Sequence, residues 1–135
     1  MYKKVLILLF FIPFQLLFAQ TNMLKNFPEG YTPEEIGKRL AYRFLTEKHA
    51  LHAGKWIGYP ETFYWSGALR YADKAKDDEL IHCLQEKFDF LFTEEKILQP
   101  IMNHVDLNMF GSLPLEFYLV TKDLKYRYLG LPYAD

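Results

Sequence analysis

Ser66–Leu80, SGALRYADKAKDDEL, and Ser112–Tyr126, SLPLEFYLVTKDLKY, follow one plan at a spacing of 46 residues. Ser66 falls on Ser112, Leu69 on Leu115, and Lys76-Asp77 on Lys122-Asp123. Tyr71 matches Phe117, and Leu80 matches Tyr126. Each passage reads as a helix, a charged two-residue turn with an aspartate placed to cap, and a second helix. An aspartate there accepts hydrogen bonds from the free N–H groups of the next helix's first turn. Units of this size cannot bury their apolar faces alone and stack on their neighbours. The expectation is an all-α chain of hairpins.

The same reading extends outward from this passage. Thr32-Pro33-Glu34-Glu35 gives a helix start, with Thr32 as cap and Pro33 at the first helical position. Ile36, Leu40, Ala41, Phe44 and Leu45 then form one apolar face down to about Lys48. His49 to Tyr59, with Gly54 and Gly58, reads as a loop before a second helix near Pro60. Along that helix Phe63, Trp65, Ala68, Leu69, Ala72 and Ala75 are assigned to one side. Asp77 caps a third helix with a stripe of Leu80, Ile81, Leu84, Phe88, Leu91 and Phe92. Thr93 to Val105 reads as a loop with a short extended piece at Ile97-Leu98. A fourth helix covers about Leu107 to Thr121, and Pro114 kinks it or delays its start to Ser112. Asp123 caps a fifth, whose later turns are weakened by Gly130 and Pro132.

The N-terminus carries an address. Lys3 and Lys4 precede an almost wholly apolar run, Val5 to Phe18, and the small Ala19 follows. That order is the order of a secretory signal peptide, and the run is short for a membrane span of about 20 residues. A retained N-terminal anchor is the alternative. The expected organisation is a signal peptide at 1–19, a lead-in at 20–31 and an incomplete hairpin domain at 32–135. The expected location is secreted or periplasmic, with no membrane attachment once the signal is removed. Without residues 1–19 the chain holds 14 basic and 17 acidic side chains, a net charge of −3. It has no basic stripe, so nucleic acid is not an expected partner. Cys83 is the one cysteine and cannot form an internal disulfide; among Leu80, Ile81 and Leu84 it reads as a small buried hydrophobe.

The densest polar constellation is Asn103 to Gly111, NHVDLNMFG, at a loop-to-helix junction. Two roles are open to Asp106: a helix cap, or a carboxylate at the mouth of a helical barrel acting as acid, base or electrostatic stabiliser. His104 is a substrate contact or a loop histidine. Tyr64 and Trp65 form a stacking floor for a sugar ring or pack in the core, where aromatic side chains bury large areas. His49-x-x-His52 has metal-like spacing, but no third ligand is near in sequence, and a solvated loop is the better reading. No nucleophile elbow and no phosphate-binding glycine loop are present.

Three stretches carry a resemblance. His104 to Gly111, HVDLNMFG, is the first; Leu113 to Tyr126, LPLEFYLVTKDLKY, is the second; Tyr64 to Leu69, YWSGAL, is the third. Together they resemble the N-terminal part of the unsaturated uronyl hydrolases, glycoside hydrolase families eighty-eight and one hundred and five, over roughly residues 32–135. The resemblance implies a partial toroid of α-hairpins, about two to three of a ring of six. It implies an oligosaccharide substrate and release of 4,5-unsaturated uronic acids from lyase products by hydration of the double bond, without metal or organic cofactor. By motif it gives the catalytic role to Asp106, and it sets Tyr64 and Trp65 where the family contacts the sugar; His104, beside Asp106 in the polar run, is kept as a candidate substrate contact. A second catalytic aspartate is implied beyond residue 135. Six units at this spacing need roughly 276 residues, against the 116 that follow residue 19. Asp135 also registers with Asp89, inside the third helix. The expectation is a fragment that is inactive alone.

Two other classes stay open. One is another α/α-toroid carbohydrate enzyme, although an ordinary glycosidase needs a second carboxylate across the scissile bond. The other is a non-catalytic helical-repeat module that binds carbohydrate or protein on a concave face. Oligomeric state is not readable from this sequence.

Overall fold

A computed structural model describes residues 26–134. The chain divides into two compact units, Met1–Pro33 and Glu34–Asp135. The proposed signal peptide lies outside the described residues. Of the first unit, residues 26–33 are described; Tyr31 N–H donates to Pro28 O at 3.0 Å, and Gly30 takes a left-handed φ of 81°.

The second unit is mostly helical, as expected. Its elements are α1 (Pro33–Thr46, entered from the last residue of the first unit), α2 (Tyr59–Ala75), α3 (Asp78–Asp89), the short α4 (Val105–Asn108), α5 (Ser112–Thr121) and α6 (Leu124–Gly130). Single 3₁₀ turns occupy Phe90–Phe92, Lys96–Leu98, Met109–Gly111 and Leu131–Tyr133. The start of α5 at Ser112 is where Pro114 put it, because proline is tolerated in a first turn and not further in. Lys96–Leu98 corrects the extended piece expected at Ile97-Leu98. The loop expected from His49 contains a small antiparallel hairpin, β1 (Leu51–His52) and β2 (Trp56–Ile57). Ala53 and Gly54, the first two of the three residues between the strands, both have positive φ, 49° and 68°, and Lys55 N–H closes the turn onto His52 O at 3.0 Å.

The two charged turns are built alike. Lys76 and Lys122 end α2 and α5 in the left-handed conformation, with φ of 57° and 62°. Asp77 N–H reaches back to Ala72 O and Lys122 N–H to Tyr118 O, closing the helix ends. Asp77 then caps α3 by accepting from Leu80 N–H, and Asp123 caps α6 by accepting from Lys125 N–H, each at 3.0 Å. Left-handed backbone costs an ordinary residue roughly 1–2 kcal/mol. Closure of the helix end and the cap that follows offset that cost at both sites.

α2 packs on α3 and on α5, and α5 packs on α6. Trp65, Phe88, Phe110, Phe117 and Tyr126 are fully buried at the centre. Their rings meet edge-on, tilted or stacked, as Phe88 edge-on to Tyr126 at 5.6 Å, Phe88 tilted on Phe117 at 4.9 Å and Phe117 stacked on Tyr126 at 5.1 Å. Such pairs add about 0.5–1.5 kcal/mol each beyond the area they bury. Where α5 begins and α6 ends, two glycines let backbones touch. A Cβ on Gly130 would lie 2.8 Å from Gly111 O, and one on Gly111 would overlap Tyr133.

Four assignments change. Phe63 is 60% exposed and falls off the buried face of α2, whose members are Glu61, Thr62, Trp65, Ala68, Leu69 and Ala72. Ala75 is exposed as well. On α1 only Ala41 and Phe44 are buried, while Leu40 is 62% exposed. The other end of that helix is anchored: Lys87 Nζ donates to Phe44 O, Leu45 O and Glu47 O at 2.7–3.3 Å. An ammonium there satisfies free carbonyls and complements the negative end of the helix. Cys83 is half-buried rather than buried.

Candidate functional site

Asp106 stands in the first turn of α4. The short helix is capped by His104, whose Nδ1 accepts from Asp106 N–H at 3.2 Å. The cap role weighed for Asp106 therefore belongs to its neighbour. With its lone pair turned to that N–H, Nδ1 has no proton to give Asp106 Oδ2, 3.7 Å away. The Asp106 carboxylate is 42% exposed and the His104 ring 59%. Neither Asp106 oxygen is used in a hydrogen bond among the described residues, so the group is free to act on something outside the chain. Further along the chain, Asn108 Oδ1 and Glu116 Oε2 are buried with no hydrogen-bond partner among the described residues. The other Glu116 oxygen accepts from the exposed Arg70 guanidinium of α2.

Tyr64 and Trp65 part company. Tyr64 is 59% exposed, whereas Trp65 is fully buried. Trp65 packs edge-on against Phe44 at 4.9 Å and Phe88 at 5.5 Å, and its Nε1–H donates to Glu61 Oε1 at 3.1 Å. Buried on all sides, it has no face for a sugar, which corrects its place in the stacking floor. Adjacent helical positions point about 100° apart, so one of the two faces the core and the other leaves it. Tyr64 borders an open cavity of about 570 Å³ between α1 and α2, with Leu40, Phe44, Phe63 and Tyr71.

The third constellation was not singled out from the sequence. His49 joins two carboxylates: Nδ1 lies 2.6 Å from Glu61 Oε1, and Nε2 lies 3.0 Å from Glu95 Oε2. Glu61 is 1% exposed and is completely engaged, since Oε2 also accepts from Ala50 N–H at 2.9 Å. The hydrogen bond to Glu61 raises the His49 pKa above its ordinary value, against burial, which pushes it down; Glu95 adds to the rise. His49 is thus a bridging residue and not the solvated loop histidine expected, while His52 lies exposed in β1. The one sequence signal was register, because His49 and Glu95 are 46 residues apart.

Among the described residues no cluster of three His, Cys, Asp or Glu could hold a metal ion, and no helix is long and apolar enough to cross a membrane. Compared with protein-family models, curated proteins and solved structures, the chain matches none.

Proposed function

We propose that this chain is part of an α/α toroid and belongs to a carbohydrate-active enzyme of the unsaturated uronyl hydrolase type. Asp106 is one of its two catalytic carboxylates. The observation that carries the reading is the unspent Asp106 side chain. Asp77 and Asp123 are consumed as caps, and Asp89 accepts from Lys125 Nζ and Tyr126 Oη. Asp106 sits at a helix start, half-exposed, with no such duty. The ring architecture is supported by construction at a fixed spacing. The Lys-Asp turns match in conformation, and His49–Glu95 and Arg70–Glu116 each bond residues 46 apart. Stacked equivalent units bring equivalent positions face to face in this way.

The chemistry asks for two carboxylates. Hydration of a vinyl ether adds a proton to one alkene carbon and a water oxygen to its neighbour; the resulting hemiketal opens and the uronic acid leaves. One group must hold the acid proton near the ring, and another must direct the water. Asp106 is assigned to this pair, His104 and Tyr64 to substrate contact, and no cofactor is invoked.

The test is the loss of ultraviolet absorbance of an unsaturated uronyl disaccharide. A product of this gene carrying further helical units should turn it over, and Asp106→Asn should abolish turnover with an unchanged circular dichroism spectrum. A near-normal rate in that variant removes Asp106 from the role. A second reading, a non-catalytic binding module, is favoured by the cavity with Phe63 and Tyr64 exposed beside it. It requires sugar or peptide binding without turnover in every form of the protein.

A further inference from the structure

We propose that His49 is the pin of a pH-sensitive latch, which ties the segment around Glu95 to α2 when its ring carries two protons and releases it when one is lost. The geometry is specific. Both ring nitrogens face carboxylates, at 2.6 Å and 3.0 Å, and only the imidazolium has an N–H for each. A neutral ring must present a lone pair to one of them.

The two partners are unequal, so the break has a place. Glu61 is buried and also held by Ala50 N–H and Trp65 Nε1–H. Stripping it of a donor leaves a buried carboxylate short of partners, which is costly. Glu95 is 38% exposed and can turn to water. The single remaining proton therefore stays on Nδ1, and the Nε2–Glu95 bond opens. The backbone bonds of the segment are local: Glu95 N–H to Phe90 O, Lys96 N–H to Thr93 O, and Leu98 N–H to Glu95 O. Glu95 is its side-chain tie to the His49 loop, and Lys96–Leu98 rests against β2. Letting go of Glu95 loosens that contact beside Ala50 and Glu61, which line the cavity.

The charges facing the pin come from each packed element. Glu61 approaches from α2 and Glu95 from the turn after α3. Lys87 approaches from α3, and its ammonium feels both carboxylates and Glu47. Burial pushes Lys87 down from its ordinary value, and its Nζ is committed to Phe44 O, Leu45 O and Glu47 O, so it gives neither carboxylate a donor in place of the imidazolium. Because the folded ring binds its proton more tightly than the unfolded one, its contribution is complete below the ordinary histidine range of about 6.5 and is lost as pH rises through the higher folded value.

The test follows the His49 ring by nitrogen-15 NMR on the whole chain from acid to alkaline pH. The midpoint should lie above that of a free histidine, and the Trp65 Nε1–H resonance should move with it. Exchange protection of the Glu95, Lys96 and Leu98 amides, corrected for intrinsic rate, should fall about tenfold or more across the same midpoint, the size expected for one bond to a charged group. Protection at Leu84 and Phe117 should stay. Glu95→Ala should lower the midpoint and leave the segment loosely protected at every pH; His49→Gln should abolish the pH response. Unmoved protection across the midpoint, or a midpoint at or below the free-histidine value, overturns the proposal. Should His49→Gln fail to fold, Glu95→Ala decides, since its site is partly exposed.

Discussion

His49 and Glu61 stand 2.6 Å apart inside the protein, and His104 and Asp106 stand 3.7 Å apart on its surface. Both pairs join a histidine to a carboxylate just before or within the first turn of a helical run. The first is saturated: each Glu61 oxygen has a donor, and Trp65 closes over the site. The second is open: its histidine is spent on a backbone N–H and its carboxylate on nothing within the described residues. The difference teaches that pairing alone does not mark function. A satisfied buried pair serves the fold, and an unsatisfied exposed one is available for chemistry.

The sharpest way to break the comparison is Glu61→Ala. It strips His49, Ala50 N–H and Trp65 Nε1–H of their acceptor at once. Removing one partner of a buried charged pair costs about 3–5 kcal/mol, and urea denaturation should register a loss of that order. A change below about 1 kcal/mol would mean that the network is no scaffold. The intermediate step is the pair of caps. Asp77→Ala and Asp123→Ala should each cost about 1 kcal/mol, and similar values for the two would show that the two turns are energetically alike. The smallest effect belongs to Asp106→Asn, expected within about 0.5 kcal/mol of the parent by the same denaturation. If it costs as much as the caps, Asp106 is structural and the contrast between the pairs collapses.

Much of the helical plan was legible from side chains acting within one turn of themselves. The caps at Asp77 and Asp123 were readable because a carboxylate two or three residues from a free N–H needs no distant partner. The start of α5 was readable because Pro114 removes a donor wherever it sits. Other features were not. The β1–β2 hairpin hides in a stretch where Ala53, a residue with no preference for positive φ, occupies the turn. The Lys76 and Lys122 left-handed caps are equally silent, since lysine is not the usual residue there.

For the candidate site, the sequence placed Asp106 and His104 at a helix start and left open whether Asp106 was the cap; in the structure His104 is. It named Tyr64 and Trp65 together, and packing separated them. Glu61 went unnoticed because an acidic residue in a first turn is ordinary on the surface and informative only when buried. Local order, from helix to turn to cap, is written in neighbouring residues because backbone hydrogen bonds and dihedral preferences reach only a few positions. Which face is covered, which carboxylate is spent and which histidine is pinned depend on side chains brought together from 46 residues away. Burial and electrostatics are properties of that assembled surrounding, and no window of sequence contains them.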